Sequence, residues 1–237
     1  MSISPEQLTP EQYAALIADA EVLHRDRRGV QVLLTPDGRI VKLFYRRRGF
    51  SSDLIRPYAL RFASNAIELK ERGIPSVEIE RLCRCRDPRL DLVVYPMLAG
   101  EPVRELATTT GEYRRALHAL PGFVAELHRL GICFKGLHPG NILYQSPDRF
   151  SLIDIVNVDF SRSPLAIGKR AGNLHHLLCR KEDYTALCDY GMEVPIGDYL
   201  SASGLKPAEQ YRLLQQLLRR AKNQPGLAAA CRQLLEG

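Results

Sequence analysis

An amide, a carboxylate and an ammonium group stand along this chain at positions suited to holding phosphate and a divalent cation. Asn141 and Asp154 are thirteen residues apart, with the strand-like run Phe150-Ser-Leu-Ile153 between them. Magnesium takes oxygen ligands and keeps several waters, so an Asn carbonyl and an Asp carboxylate from two adjacent turns suit it. Upstream, Lys42 lies in Ile40-Val41-Lys42-Leu43. Period two puts it on the opposite face of a strand from Val41 and Leu43. It reads either as a lysine on the solvated face of an edge strand or as a phosphate contact. Five residues before Asn141 stands Gly136, which has no side chain to take a proton. His138, two positions after Gly136, is the first candidate substitute: an imidazole with an ordinary pKa near 6.5 could accept a proton or touch phosphate. The same histidine could equally serve to order the loop.

The run Phe134-Lys-Gly-Leu-His-Pro-Gly-Asn-Ile-Leu143, followed by Leu152-Ile153-Asp154, resembles the catalytic loop and metal-binding segment of the protein-kinase-like phosphotransferases. Small-molecule members, such as the aminoglycoside and choline kinases, carry H-x-D-L-H-P-x-N-I-L. Phe134 stands at the His position and Gly136 at the Asp position, and the step from Gly136 to Asn141 matches H-R-D-x-x-x-x-N. A narrower resemblance rests on KLFYRRRGFSSDLIRPYALRFASNAIELKERGIPSVEI, HRLGICFKGLHPGNIL and LIDIVNVDF, over about residues 20 to 180. These runs are similar to bacterial proteins grouped as a toluene-tolerance family, related to the lipopolysaccharide core and Kdo kinases. The resemblance implies a kinase-like fold, with ATP and Mg2+ as cofactors. It implies Lys42 as the cofactor-binding phosphate contact and Asn141 and Asp154 as the metal ligands. It also implies a cytoplasmic location, peripheral to the inner membrane if it meets lipid, and a lipopolysaccharide precursor or a protein as partner. The catalytic base carries over to no residue; His138 is the candidate substitute.

Phosphoryl transfer depends mostly on positioning and charge neutralisation. Loss of a positioned base costs about 10²–10⁴-fold, which slows transfer without abolishing it. Two readings follow: a nucleotide-binding pseudokinase with a regulatory or scaffold role, or an atypical phosphotransferase acting on a lipopolysaccharide core sugar or similar small molecule. Two further parts of the kinase pattern are weak. Where a glycine-rich loop is expected, Arg25-Asp-Arg-Arg-Gly29 offers one glycine and three arginines. Guanidinium groups can replace amide contacts to phosphate, or be ordinary surface-loop arginines. A helical Glu to pair with Lys42 is expected near residues 61–65, where no carboxylate occurs, and Glu68 falls about a turn late.

The elements that must position these groups predict a two-lobed α+β fold. An antiparallel-sheet N-lobe with an N-terminal helix covers 1–97, and a mainly helical C-lobe carrying both motif segments covers 98–237. Thr9-Pro10-Glu11-Gln12 reads as a capping box opening a helix to about Ala20. Strands are expected over 30–34 and 39–45, joined by Thr35-Pro36-Asp37-Gly38. A helix over 60–72 is stopped by Gly73, and strands follow over about 77–84 and 91–96. Ala99-Gly100 reads as a hinge. Helices are expected around 111–119 and 121–130, and the chain from about Arg170 is largely helical. Near its end an apolar stripe of Tyr211, Leu214, Leu217 and Leu218 begins after Pro207.

At 237 residues the chain can bury ample core, and 45% hydrophobic and 25% charged residues are those of an ordinary globular protein. No apolar run approaches the roughly 20 residues of a membrane-spanning helix, and the N-terminus lacks a signal pattern. The six cysteines form no zinc framework; Cys83 and Cys85 alternate on one strand face, as reduced thiols would in the cytoplasm. A net charge of +6 points to acidic partners without choosing among nucleotide, anionic lipid and nucleic acid. Nucleic acid is disfavoured, because no reading helix, aromatic platform or zinc module is recognisable. Arg46-Arg47-Arg48 could face anionic lipid or sugar phosphate, or be a solvated loop. His175-His176 reads as helix packing rather than a metal site, and Asp159 as a turn residue or a neighbour of the site.

Overall fold

The computed structural model describes residues 4–27, 29–46, 57–108, 110–146 and 149–236. The chain divides into two compact units, Met1–Leu98 and Ala99–Gly237. In the first, the sheet is built from β1 (Glu6–Leu8), β2 (Glu21–Asp26), β3 (Gly29–Leu34), β4 (Arg39–Tyr45), β5 (Arg81–Cys85) and β6 (Leu90–Pro96). The strands lie in the order β1-β5-β6-β4-β3-β2. Strands β2 to β6 pair antiparallel, as expected, but β1 adds parallel to β5. The sheet is therefore mixed rather than purely antiparallel. With three residues, β1 is too short to show a period in sequence, and its pairing is set by contact.

Two helices cover the two faces of this sheet. α1 (Pro10–Leu16) opens on the expected capping box, with Gln12 N donating to Thr9 Oγ1 and Thr9 N to Gln12 Oε1. Its Tyr13 and Leu16, with Ile17 beyond, pack on a core of Leu33, Val41, Leu43, Cys83, Cys85, Leu90, Leu92 and Val94. On the other face, α2 (Tyr58–Glu71) inserts the fully buried Phe62, whose ring centroid lies 5.8 Å from Phe44 and 5.9 Å from Tyr95. β6 is central and buried from Leu90 to Tyr95. At the β3–β4 turn, Thr35 N donates to Arg39 O at 2.9 Å, and Gly38 takes the positive φ that the turn requires.

The second unit holds β7 (Glu101–Pro102), α3 (Thr110–Arg129), β8 (Ile132–Phe134), β9 (Ile142–Gln145), β10 (Arg149–Leu152) and β11 (Val158–Phe160). Five helices follow: α4 (Ile167–Leu178), α5 (Tyr184–Tyr190), α6 (Glu193–Ala202), α7 (Pro207–Arg220) and α8 (Pro225–Glu236). β9 and β10 form a hairpin edged by β7, and β8 pairs antiparallel with β11. This order, a meander, a helix and two more strands followed by a helical unit with a three-stranded and a two-stranded sheet, fits the α+β kinase-like arrangement.

Two helical expectations are corrected. The helices expected on either side of residue 120 are one, α3, running through Pro121. Proline removes one intrahelical bond, but Leu117, Leu120, Val124 and Leu127 are buried on both sides of it, so packing holds the helix together. On α7 the buried residues are Leu213, Leu214 and Leu217, while Tyr211 is 53% exposed. The stripe is rotated, since a tyrosine can keep its ring in water where a leucine gains more from burial.

Candidate phosphate and cation site

The loop after β8 is built around a buried ring. Phe134 is fully buried, and Leu137 N donates to Phe134 O at 3.0 Å, closing a turn over Gly136. A Cβ placed on Gly136 would meet Phe134 Cε2 at 2.9 Å and Asn141 Nδ2 at 3.3 Å. Real Cβ atoms essentially never approach carbon so closely, and a buried aromatic ring has little room to move. Gly136 does not lie at positive φ, so the requirement for glycine comes from this contact rather than from the backbone.

The far half of the loop is polar and tied across to the next segment. His138 leads into a single 3-10 turn over Pro139–Asn141, and Asn141 N donates to His138 O at 2.9 Å. The Asn141 side chain donates through Nδ2 to Gly136 O at 3.0 Å, which turns its Oδ1, the atom a cation would use, the other way. Its backbone carbonyl accepts from Ile153 N at 3.0 Å. That bond fixes Asp154, the next residue, beside the loop. Asp154 has φ 53°, one of two non-glycine positive values among the described residues. Such a conformation costs free energy and concentrates at functional positions. An amide oxygen and a carboxylate tied together this way fit magnesium, which takes its remaining ligands from water and phosphate.

His138 is held neutral. Burial, with the charges of Arg180 and Arg104, pushes its pKa down to about 4. Its Nδ1 lies 3.5 Å from Arg104 Nη2. Arg104 is itself clamped by the buried Asp183, with Nε and Nη2 donating at 2.6 and 2.8 Å. Its guanidinium lies where a Cβ on Gly140 would fall, 2.8 Å from Nη1. Beneath the loop, Asn173 on α4 donates to Phe134 O at 2.6 Å. His128 bridges Asn173 Oδ1 (3.1 Å) and the Tyr199 hydroxyl (2.8 Å), and Arg170 donates to Tyr199 Oη at 3.3 Å. Burial pushes the His128 pKa down to about 4, so it acts here as a neutral donor and acceptor.

Sequence reasoning missed this bracing. Asn173 carried a signal, a polar residue inside the buried stripe Arg170, Leu174, Leu177 of α4. Arg104 and Asp183 are 79 residues apart and carried none. His176 on α4 is half-buried with its ring 6.2 Å from His138, and no group of three or more metal-ligating His, Cys, Asp or Glu occurs among the described residues. Asp159 pairs with Lys135 at 2.8 Å on the surface.

In the first unit, Lys42 lies on the α2 face of β4, opposite Val41 and Leu43, with Nζ 5.7 Å from the Phe62 ring centroid. An aromatic face at that distance attracts an ammonium group. Glu68 on α2 pairs with Arg72 at 2.7 Å. The weak glycine loop is the tight β2–β3 connection, in which Asp26 pairs with Gly29. Arg46 is drawn inward, donating to Cys85 O at 3.1 Å, and Arg47 and Arg48 lie outside the described residues.

No protein-family model and no curated protein matches the chain. Among solved structures, the bifunctional kinase-methyltransferase WbdD matches with a TM-score of 0.49 and 11% identity, over 87% of this chain and 47% of that one. Monomeric WbdD gives 0.48 and 14%, over 81% and 44%, and WbdD with a kinase inhibitor gives 0.46 and 14%, over 76% and 45%. The chain thus spans less than half the length of those proteins. Likenesses at this level carry no argument about activity. No helix among the described residues is long and apolar enough to cross a membrane.

Proposed function

We propose that this chain is a kinase-like, nucleotide-binding pseudokinase, with a regulatory or scaffold role linked to the bacterial envelope. The observation that carries it is the packing of Phe134 on Gly136. A site that had merely lost an acid would keep room for one. Here the ring fills that room, and Asn173 and His128 brace its backbone from below. The neutral His138, with a pKa of about 4 and its Nδ1 toward Arg104, is a poor proton acceptor and a good loop brace.

What remains supports binding. Asn141 Oδ1 and the Asp154 carboxylate are the groups that would hold Mg2+, and Lys42 is the group for the phosphates of ATP. Bound magnesium would supply charge neutralisation on the nucleotide's terminal phosphates. Asn141 orders the loop through Gly136 O and Ile153 N whether or not a cation is bound. The second reading, an atypical phosphotransferase acting on a lipopolysaccharide core sugar or similar small molecule, is favoured by that same retained half. The envelope link in either reading rests on the sequence resemblance.

Melting temperature measured with ATP, with and without magnesium, tests the proposal. A ligand at about 100 times its Kd adds about 2.7 kcal/mol to stability, a readily measured shift. Asp154→Asn should lose the magnesium-dependent part and Lys42→Ala should weaken the whole. No shift in the wild-type protein would end the nucleotide reading. Turnover of a sugar acceptor by the unmodified protein, lost in Asp154→Asn, would replace the pseudokinase with the transferase.

A further inference from the structure

The sheet of the first unit is electrically polarised along its strands. Register brings three connections to one end: the β2–β3 turn, where Asp26 pairs with Gly29; the end of β4, where Tyr45 pairs with Leu90; and the β5–β6 turn, where Cys85 pairs with Leu90. Local contacts join them. Arg46 N donates to Arg89 O at 3.2 Å, and a Cβ on Gly29 would lie 3.3 Å from the Tyr45 hydroxyl. Exposed at this end are Arg25, Arg27, Arg86 and Arg89, against Asp26 and Asp87. Just inside, the buried Asp91 is shared by Arg84 at 2.7 Å and Arg46 at 3.7 Å, two cations to one carboxylate. The opposite end carries Glu21, Asp37 and Glu80, while Glu6 pairs in mid-sheet, level with Cys83. Its arginines are engaged: Arg39 with Asp37 and Glu80, Arg81 with Glu6.

We propose that the arginine end of this sheet docks on an anionic lipid bilayer. Clusters of this size bind anionic headgroups through summed attraction rather than one shaped pocket. Nucleic acid is a poorer match, because single-strand binding draws on stacking platforms and, among the described residues, the aromatic residue at this end, Tyr45, is half-buried against Gly29. The surface shares Arg25 and Arg27 with the weak glycine loop but involves neither Lys42 nor the Asn141–Asp154 pair, so it is tested at Arg86 and Arg89, which lie outside that loop.

Co-sedimentation of the full chain with phosphatidylcholine vesicles, with and without phosphatidylglycerol, tests it. Binding should need the anionic lipid and fade at high salt. R86Q/R89Q should bind about 30-fold more weakly, while R114Q/R115Q, on an exposed part of α3, should bind as wild type. Equal binding to neutral vesicles, or an unchanged R86Q/R89Q, would overturn the proposal. So would binding to duplex DNA with none to vesicles, which would make the partner a nucleic acid. The magnesium-nucleotide melting shift should be the same in R86Q/R89Q as in wild type. Its loss would assign these arginines to nucleotide phosphate and overturn the proposal as well.

Discussion

The two halves of the loop from Phe134 to Asn141 were built to different ends. The first half is apolar and closed: a buried ring lies against a glycine that cannot accept a Cβ without displacing it. The second half is polar and cross-tied, with Asn141 bonded to Gly136 O on one side and Ile153 N on the other. In phosphoryl transfer the first half would handle the acceptor's proton and the second the cation. On the proposed reading, transfer and binding are separable within ten residues, because transfer needs an acid with space around it and cation binding needs side-chain oxygens held in place by backbone bonds.

Removing the ring should give the largest effect. Phe134→Ala is expected to cost about 3–5 kcal/mol, read by denaturant unfolding; a cost under about 1 kcal/mol would mean the ring does not seal the loop. Acid should act next. His128 and His138 are neutral in the folded protein, with pKa values pushed down to about 4. Unfolding frees them to take protons below about pH 6.5. Stability should therefore be full above that value and fall as pH drops towards 4. Melting of His138→Gln across this window should show a shallower slope than wild type.

Restoring an acid sharpens the comparison. Gly136→Asp should destabilise by about 1–3 kcal/mol through overpacking and yield no transfer. In Phe134→Ala/Gly136→Asp the two costs should be sub-additive, because the colliding ring is gone; strict additivity in a double-mutant cycle would show that ring and Cβ never met. Asn141→Ala should cost about 0.5–1.5 kcal/mol for the lost bond to Gly136 O, yet abolish the magnesium-dependent part of the nucleotide shift. A large stability loss with the shift intact would reverse the roles given to the two halves. The smallest effect is expected outside the loop. Lys135 and Asp159 form an exposed pair, so Asp159→Ala should change stability by less than about 1 kcal/mol and leave nucleotide response unchanged in the same melts.

Legibility followed the range of the interactions. The Thr9 cap, the β3–β4 turn and the meander were readable, because each is decided within a few residues by a side-chain oxygen, a glycine or a period. The α2 stop at Gly73, with φ 75°, was readable for the same reason. Strand β2 was not, since all its residues are exposed and it has no apolar alternation to show. Pro121 misled, because a local rule about helix breaking gave way to burial on both sides. Within the loop, the candidate side chains were visible from type and spacing. Their bracing by Arg104, Asp183 and Asn173 was not, because those contacts span long stretches of chain.

Sequence alone determined which groups this protein can present: oxygen donors at Asn141 and Asp154, an ammonium at Lys42, and no acid at Gly136. It did so because residue type sets chemistry and short-range spacing sets turns. Only the tertiary structure decided that the gap at Gly136 is filled, that His138 is neutral, and that charge is sorted to opposite ends of the first sheet. Those properties depend on burial and on which distant segments pack together. A one-dimensional pattern does not carry that information; close packing imposes it.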